Sequence, residues 1–233
     1  MGQFAYSRLG EDLSPNPAQS VAHSFANRLP WQEVQRLTET GASAVGLPEG
    51  LLVSNPGDRH SASTLVPVRD AIRRFEGVRL AAETMNNQLL LFGCTNAREA
   101  RSLTTDDDPR DLRYLSGTRA MDGSHVYCGS IDAAVSRALA YAPYVDVISY
   151  RTTSLNLQEA ERFASAIRAS SPNRPLGICF PFQGGLDGVS LNRKLTQLGY
   201  RYHFLTLSES LIVPEFAQEL PWALFDDGAK AGF

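Results

Sequence analysis

Short, nearly unbroken apolar runs recur along the chain and are separated by longer stretches whose apolar residues return every three or four positions. The runs are Ser43–Leu47, Leu89–Cys94, Val145–Tyr150, Leu176–Phe180 and Tyr202–Thr206, with Gln3–Tyr6 as a candidate sixth. Continuous apolar runs of this length are what parallel strands covered on both faces require. Between them the spacing predicts helices at about 17–28, 31–40, 67–86, 130–142, 156–169 and 188–199. In the longest of these, Val68, Ile72, Phe75, Val78, Leu80 and Ala82 supply the apolar positions, with Arg69, Arg73, Arg74 and Glu83 on other faces. Asn156 is placed to cap the helix that follows it, and Gly199 to stop the helix that precedes it. Strand and helix in alternation predict an α/β fold with a parallel sheet.

Two stretches break the rhythm and read as loops, Glu49–Val66 and Leu103–Val126. The second carries the acidic run Asp106-Asp107-Asp108, which reads as solvated surface. In α/β folds the segments leaving the carboxyl ends of strands build the binding site, so both stretches are candidate lids.

Composition narrows the picture. A chain of 233 residues with 43% hydrophobic and 20% charged residues can bury a full core. It falls just short of the roughly 250 residues of a complete (β/α)8 barrel. A net charge of -3 gives no electrostatic footprint for nucleic acid or an anionic membrane surface. No run approaches the roughly 18 apolar residues of a membrane span, and the amino-terminal residues do not read as a leader peptide. Cys94, Cys128 and Cys179 are odd in number and widely spaced, so neither a disulfide framework nor a zinc site is expected. Reduced thiols in a cytoplasmic setting are the expectation.

Several stretches resemble the isocitrate lyase/phosphoenolpyruvate mutase superfamily. Thr95-Asn96-Ala97-Arg98-Glu99-Ala100, continuing through Leu103-Thr104-Thr105-Asp106-Asp107-Asp108-Pro109-Arg110-Asp111, is similar to the isocitrate lyase run RTDAEAA…ITSDVDPRD. Ala138–Ile148 resembles AKAYAPYADLIW, Phe204–Leu207 resembles FITL, Leu65-Val66-Pro67 resembles VLVP, and Asp12–Val21 resembles DQSLYPANSV. The likeness runs in order over about residues 12–210. It implies an incomplete TIM-type (β/α) barrel with parallel strands as one domain over 1–210. Residues 211–233 would be an apolar carboxyl-terminal tail docking on another subunit.

The resemblance also brings a catalytic kit, most of which is substituted. The acidic metal-binding segment has no counterpart around Pro30, and of the HWED-type cluster Glu49 alone remains. The KKCGH loop falls on Asn55–His60, which keeps His60 and has no cysteine. Cys94 stands where the family has a substrate-binding arginine, and Arg151 stands where it has a glutamate. Ile178-Cys179-Phe180-Pro181-Phe182 replaces the carboxylate-binding NCSPS, and Thr206 keeps the threonine of FITL.

From these residues the expected proton-handling groups are His60, Glu49 and Cys94. The expected substrate-binding groups are Arg151, Thr206, Tyr150, Phe180, Phe182 and Asn96. Arg151 has two readings, an anion anchor or an internal partner of Glu49. Phe180, Phe182 and Tyr150 are expected to make an aromatic pocket. No cofactor is expected, and magnesium is not expected because one carboxylate rarely holds it. The function this implies is a repurposed lyase, isomerase or cyclase acting on a small, fairly hydrophobic carbonyl- or carboxylate-bearing metabolite. A non-catalytic binding or scaffolding subunit is the alternative. The expected partners are a small-molecule ligand and a second copy of the chain, or a subunit completing the barrel.

Overall fold

The structure is a computed structural model that describes residues 4–8, 21–23, 32, 34–35, 43–50, 64–181 and 188–206. Eleven strands are described: β1 (Phe4–Arg8), β2 (Val21–His23), β3 (Ala44–Pro48), β4 (Thr64–Leu65), β5 (Leu90–Thr95), β6 (Ser102–Leu103), β7 (Leu115–Arg119), β8 (His125–Tyr127), β9 (Val147–Arg151), β10 (Leu176–Pro181) and β11 (Tyr200–Thr206). The helices are α1 (Val68–Thr84), α2 (Pro109–Leu112), α3 (Ile131–Tyr141), α4 (Leu157–Ser170) and α5 (Gly188–Gln197).

The main sheet has the order β1-β11-β10-β9-β5-β3-β2. From β2 to β11 neighbours are parallel, and each strand lies beside the next one of this sheet in chain order. That single direction of winding is how a (β/α) barrel grows, whereas a doubly wound sheet reverses at a switch point. The candidate sixth strand is present as β1, and it pairs antiparallel with β11. Among the described residues β1 and β2 do not pair with each other, so the sheet is an open arc rather than a closed barrel.

The helix expected over 17–28 is corrected at its centre. Val21-Ala22-His23 is a strand that pairs parallel with Ala44-Val45-Gly46. In the expected 31–40 helix, Gln32, Val34 and Gln35 are helical and Val34 is buried in the core. The stretch read as a long loop after Leu103 is ordered structure. It contains α2 and contributes β7 and β8 to a second sheet of order β4-β6-β8-β7.

Helix α1 buries Val68, Ala71, Ile72, Phe75, Val78, Ala81 and Ala82, a stripe at the three-to-four spacing. Leu80 falls off that stripe and is 67% exposed. Pro67 at the N-cap position offers no side-chain cap. Two carboxylates from the acidic segment take its place: Asp111 Oδ2 accepts from the Val68 amide at 3.0 Å, and Asp108 Oδ2 accepts from the Arg69 amide at 2.7 Å. These anions satisfy orphan donors at the positive end of the helix. The acidic run is therefore solvated only in part. Asp107 pairs with Arg69 at the surface, whereas Asp108 and Asp111 are buried.

Asn156 caps α4, its side chain accepting from the amides of Gln158 and Glu159 at 2.9 and 3.3 Å. Gly199 takes φ +89° after α5, a left-handed conformation that lets the chain leave the helix directly into β11.

The sheet separates two cores. The larger lies between sheet and helices and includes Phe75, Tyr141, Tyr150, Phe163 and Phe180. The smaller, on the inner face, consists of Ala44, Phe92, Cys94, Val147, Cys179, Tyr202 and Phe204. There Phe92 meets Tyr202 and Phe204 edge-on, with ring centroids 5.1 and 5.4 Å apart.

Candidate functional site

Side chains alternate across a strand, and the register sorts the candidate residues into two groups. On the inner face, Pro48, Cys94, Ser149, Gly177 and Tyr202 form one row across β3, β5, β9, β10 and β11. Arg151, Cys179 and Phe204 form the row above it, nearer the carboxyl ends of the strands. Of these rows Pro48, Cys94, Ser149, Arg151, Cys179 and Phe204, with Gly46 and Phe92 below, line a small and largely enclosed depression with room for about one water. Gly177 leaves room for the Ser149 side chain. A Cβ there would meet Ser149 Oγ at 3.2 Å and Phe204 Cε2 at 3.4 Å.

The chemistry of the depression is unusual for an anion site. Burial pushes the Cys94 thiol up to about 12, with Arg151 pulling against it. Burial raises Cys179 as well, again opposed by Arg151. Both thiols are therefore protonated near neutral pH, which makes them weak nucleophiles and intact S–H donors. The Ser149 hydroxyl is fully buried beside the Cys94 thiol, whose pKa it pulls down slightly through a side-chain hydrogen bond. Arg151 is exposed at the rim and carries the one positive charge of the lining.

Glu49 lies on the opposite side of the sheet and is fully buried. Its carboxylate accepts from Thr95 Oγ1 (2.7 Å), the Asn96 amide (2.8 Å), Arg137 Nε (2.7 Å) and the Tyr141 hydroxyl (2.6 Å). The internal partner of Glu49 is thus Arg137 and not Arg151. Arg137, 1% exposed, also donates to Asp111 Oδ1 and to the Val66 carbonyl. One guanidinium in this way ties together the end of β3, the entry to α1, α2 and α3. Burial opposes its charge, but Tyr141, Glu49 and Asp111 around it hold its pKa well above the ordinary arginine value.

The expected site residues are therefore divided. Cys94 and Arg151 share the depression. Glu49 and Asn96 belong to the buried network on the other face. Tyr150 stacks on Phe163 at 5.0 Å, and Phe180 packs in the helix-facing core, so the aromatic pocket expected from them does not form there. The reason is strand parity: Tyr150 lies between Ser149 and Arg151, and Phe180 follows Cys179, so each points away from the mouth. Phe92 and Phe204 provide the aromatic walls instead. Thr206 ends β11, where its backbone pairs with Pro181 and Phe4. His60 and Phe182 lie outside the described residues.

Sequence reasoning missed Arg137, Tyr141, Asp111 and Ser149. Arg137 had a legible signal, a charged residue inside the stripe Ala133, Ala134, Ala138, Tyr141. Ser149 and Arg151 did too, as polar residues two apart in an otherwise apolar strand.

The isocitrate lyase family profile matches residues 116–230, which carries the likeness past β11 into the tail. Isocitrate lyase of Salmonella typhimurium is 35% identical over 182 residues, 75% of this chain and 42% of that protein. The chain is thus similar in sequence to the isocitrate lyase family over most of its length. Isocitrate lyase 1 of Mycobacterium tuberculosis is 28% identical over 204 residues, 84% of this chain and 47% of that protein. The chain thus spans less than half the length of these curated relatives. A solved structure of oxaloacetate acetylhydrolase with oxalate superposes with a TM-score of 0.54 at 14% identity, covering 89% of this chain and 60% of that one. This last likeness concerns the fold alone.

The depression occupies the positions where the resemblance to isocitrate lyase places substrate-handling groups, Cys94 for an arginine and Arg151 for a glutamate. Magnesium, which the resemblance implies, does not fit the described residues. Both Glu49 oxygens are engaged by protein donors, and no group of three histidine, cysteine, aspartate or glutamate side chains suited to a metal occurs among the described residues. No helix among them is long and apolar enough to cross a membrane.

Proposed function

We propose that the protein is a divergent lyase or isomerase of this superfamily that acts on a small, largely apolar molecule bearing a carbonyl or carboxylate, without a bound metal. The observation that carries this reading is the inner-face depression, where a neutral Cys94 thiol and a rim guanidinium, Arg151, stand together. Arg151 anchors the anionic or carbonyl oxygen through its planar fork. When a carbon–carbon bond breaks next to that oxygen, the electron pair stays on carbon, and the Cys94 Sγ–H supplies the proton that ends the carbanion. The thiolate so formed sits beside Arg151 and regains its proton from solvent. His60, in the segment following β3, is the candidate base for the substrate hydroxyl.

Mass spectrometry of the denatured, freshly purified protein tests this reading by identifying a retained small molecule, which then serves as the assay substrate. Turnover of that molecule must fall at least tenfold in Cys94→Ala and Arg151→Met. Isocitrate with magnesium must give no glyoxylate; glyoxylate formation abolished by a chelator would overturn the proposal.

One observation favours the alternative of a non-catalytic subunit. Phe92, Tyr202 and Phe204 fill the floor of the inner face with protein side chains. Absence of any retained molecule, with unchanged assembly in the two variants, would select it. Among the described residues β1 and β2 each pair on one side only, which supports assembly with a second copy or with a subunit completing the arc. Light scattering at micromolar concentration reads this directly, and a monomer would refute it.

A further inference from the structure

The Ser149 hydroxyl is buried at a place where folding gains little from it. It lies between Ile148 and Tyr150 in β9, is 0% exposed and shares the inner face with Phe92, Phe204 and the two thiols. The register sets it beside Cys94 of β5 on one side and Gly177 of β10 on the other. On the Gly177 side a Cβ would come within 3.2 Å of Ser149 Oγ and 3.4 Å of Ser149 Cβ, so the serine side chain fills the space the glycine leaves. On the Cys94 side the hydroxyl hydrogen-bonds with the thiol. Sulfur is a weak partner, and such a bond offsets little of the cost of desolvating a hydroxyl. An alanine in this place would serve folding as well or better.

The bond does have a chemical sense. Burial, Cys179 and Glu49 push the Cys94 thiol up, and Arg151 and Ser149 pull it down. A hydrogen bond that favours the thiolate is one in which the hydroxyl donates to Sγ, which leaves the S–H proton unengaged. Cys94 itself lines the depression, with Arg151 in the row above it.

We propose that Ser149 is the positioning residue of the Cys94 acid: its hydroxyl donates to Sγ, leaves the thiol proton free for transfer at the mouth and stabilises the thiolate that transfer leaves behind. The inference rests on the reading of Cys94 as proton donor given above and names the group that prepares it. Transfer breaks the Sγ–H bond and forms a C–H bond. The electron pair stays on Sγ, where the Ser149 hydrogen bond and the Arg151 charge both favour it. A proton from solvent then restores the thiol.

The first test needs no ligand. The cysteine S–H stretch lies in an infrared window clear of other protein bands, and the difference between wild type and Cys94→Ala isolates the Cys94 band in the full chain. Ser149→Ala is expected to move that band and to leave those of Cys128 and Cys179 in place. On transfer to D2O the thiol exchanges through its thiolate, so losing a donor to that thiolate is expected to slow S–H to S–D exchange about tenfold. A merely structural role would loosen the site and speed exchange instead. The melting temperature of Ser149→Ala is expected to equal or exceed that of wild type. In the assay on the retained molecule, kcat is expected to fall about tenfold at unchanged KM. An unmoved band, unslowed exchange, a clearly lowered melting temperature or an unaffected kcat would each overturn the assignment. An unmoved band with Cys94→Ala inactive removes the role of Ser149 and leaves the acid in place. Slowed exchange with Cys94→Ala fully active keeps the hydrogen-bonded pair but overturns its use in proton transfer, and the reading above falls with it.

Discussion

Replacing Arg137 by methionine removes the one guanidinium that offsets Glu49 and Asp111, both 0% exposed. Methionine keeps much of the stem volume, so the change is mainly electrostatic. Glu49 keeps three donors, Thr95 Oγ1, the Asn96 amide and the Tyr141 hydroxyl, while Asp111 Oδ1 loses its Arg137 donor and Oδ2 keeps the Val68 amide. The Val66 carbonyl also loses its donor. Breaking a buried ion pair from one side costs about 3–5 kcal/mol. For a chain of this length that corresponds to a melting temperature lower by roughly 6–20 °C. The sign of the pH dependence follows from Asp111, whose pKa is raised by burial and held down by Arg137. Without Arg137 its folded pKa rises further above the unfolded value. The penalty is then fully present above the folded pKa and is relieved as pH falls through it. The stability gap between wild type and Arg137→Met, measured by urea unfolding, should therefore narrow from pH 8 to pH 5. A gap below about 1 kcal/mol, or one independent of pH, would refute the reasoning.

Three further outcomes are expected. Asn156→Ala should lower stability by about 1 kcal/mol in urea unfolding, because the amides of Gln158 and Glu159 lose their acceptor. Gly199→Ala should cost about 1–2 kcal/mol by the same measurement, since φ is +89° and a Cβ would meet Arg168 Nη2 at 2.8 Å. In the native protein at neutral pH a maleimide should label the exposed Cys128, while the buried Cys94 and Cys179 become reactive only after denaturation; prompt labelling of Cys94 would contradict its enclosure and its raised pKa.

The five apolar strands were legible because both of their faces are covered, and their bounds moved by only one or two residues. The same property hid the site. In a run such as Val147-Ile148-Ser149-Tyr150-Arg151, apolar residues occupy both parities, and only the polar pair Ser149 and Arg151 marks the inner face. Sequence proximity to Arg151 and Cys179 points to the mouth for Tyr150 and Phe180, but a period of two turns both to the helix-facing core. The second sheet was illegible for the opposite reason. Leu115–Arg119 is a strand whose side chains are almost all exposed, so it carries no apolar signature. Glu49 was legible as a carboxylate of interest, but its partners lie 46 to 92 positions away in the chain, beyond the reach of local pattern.

The capping of α1 has a kinetic consequence. Its first amides are satisfied by Asp108 and Asp111, some forty residues downstream, and Pro67 supplies no local substitute. The Val68 and Arg69 amides of α1 therefore gain their protein acceptors only when the acidic segment docks. That cap requires a loop of this length to close around α2, and loop closure of this kind slows the search for the native state. Mutations at Asp108 and Asp111 should accordingly act on the rate of folding as well as on the rate of unfolding, tying the long amphipathic helix and the small sheet into one cooperative step.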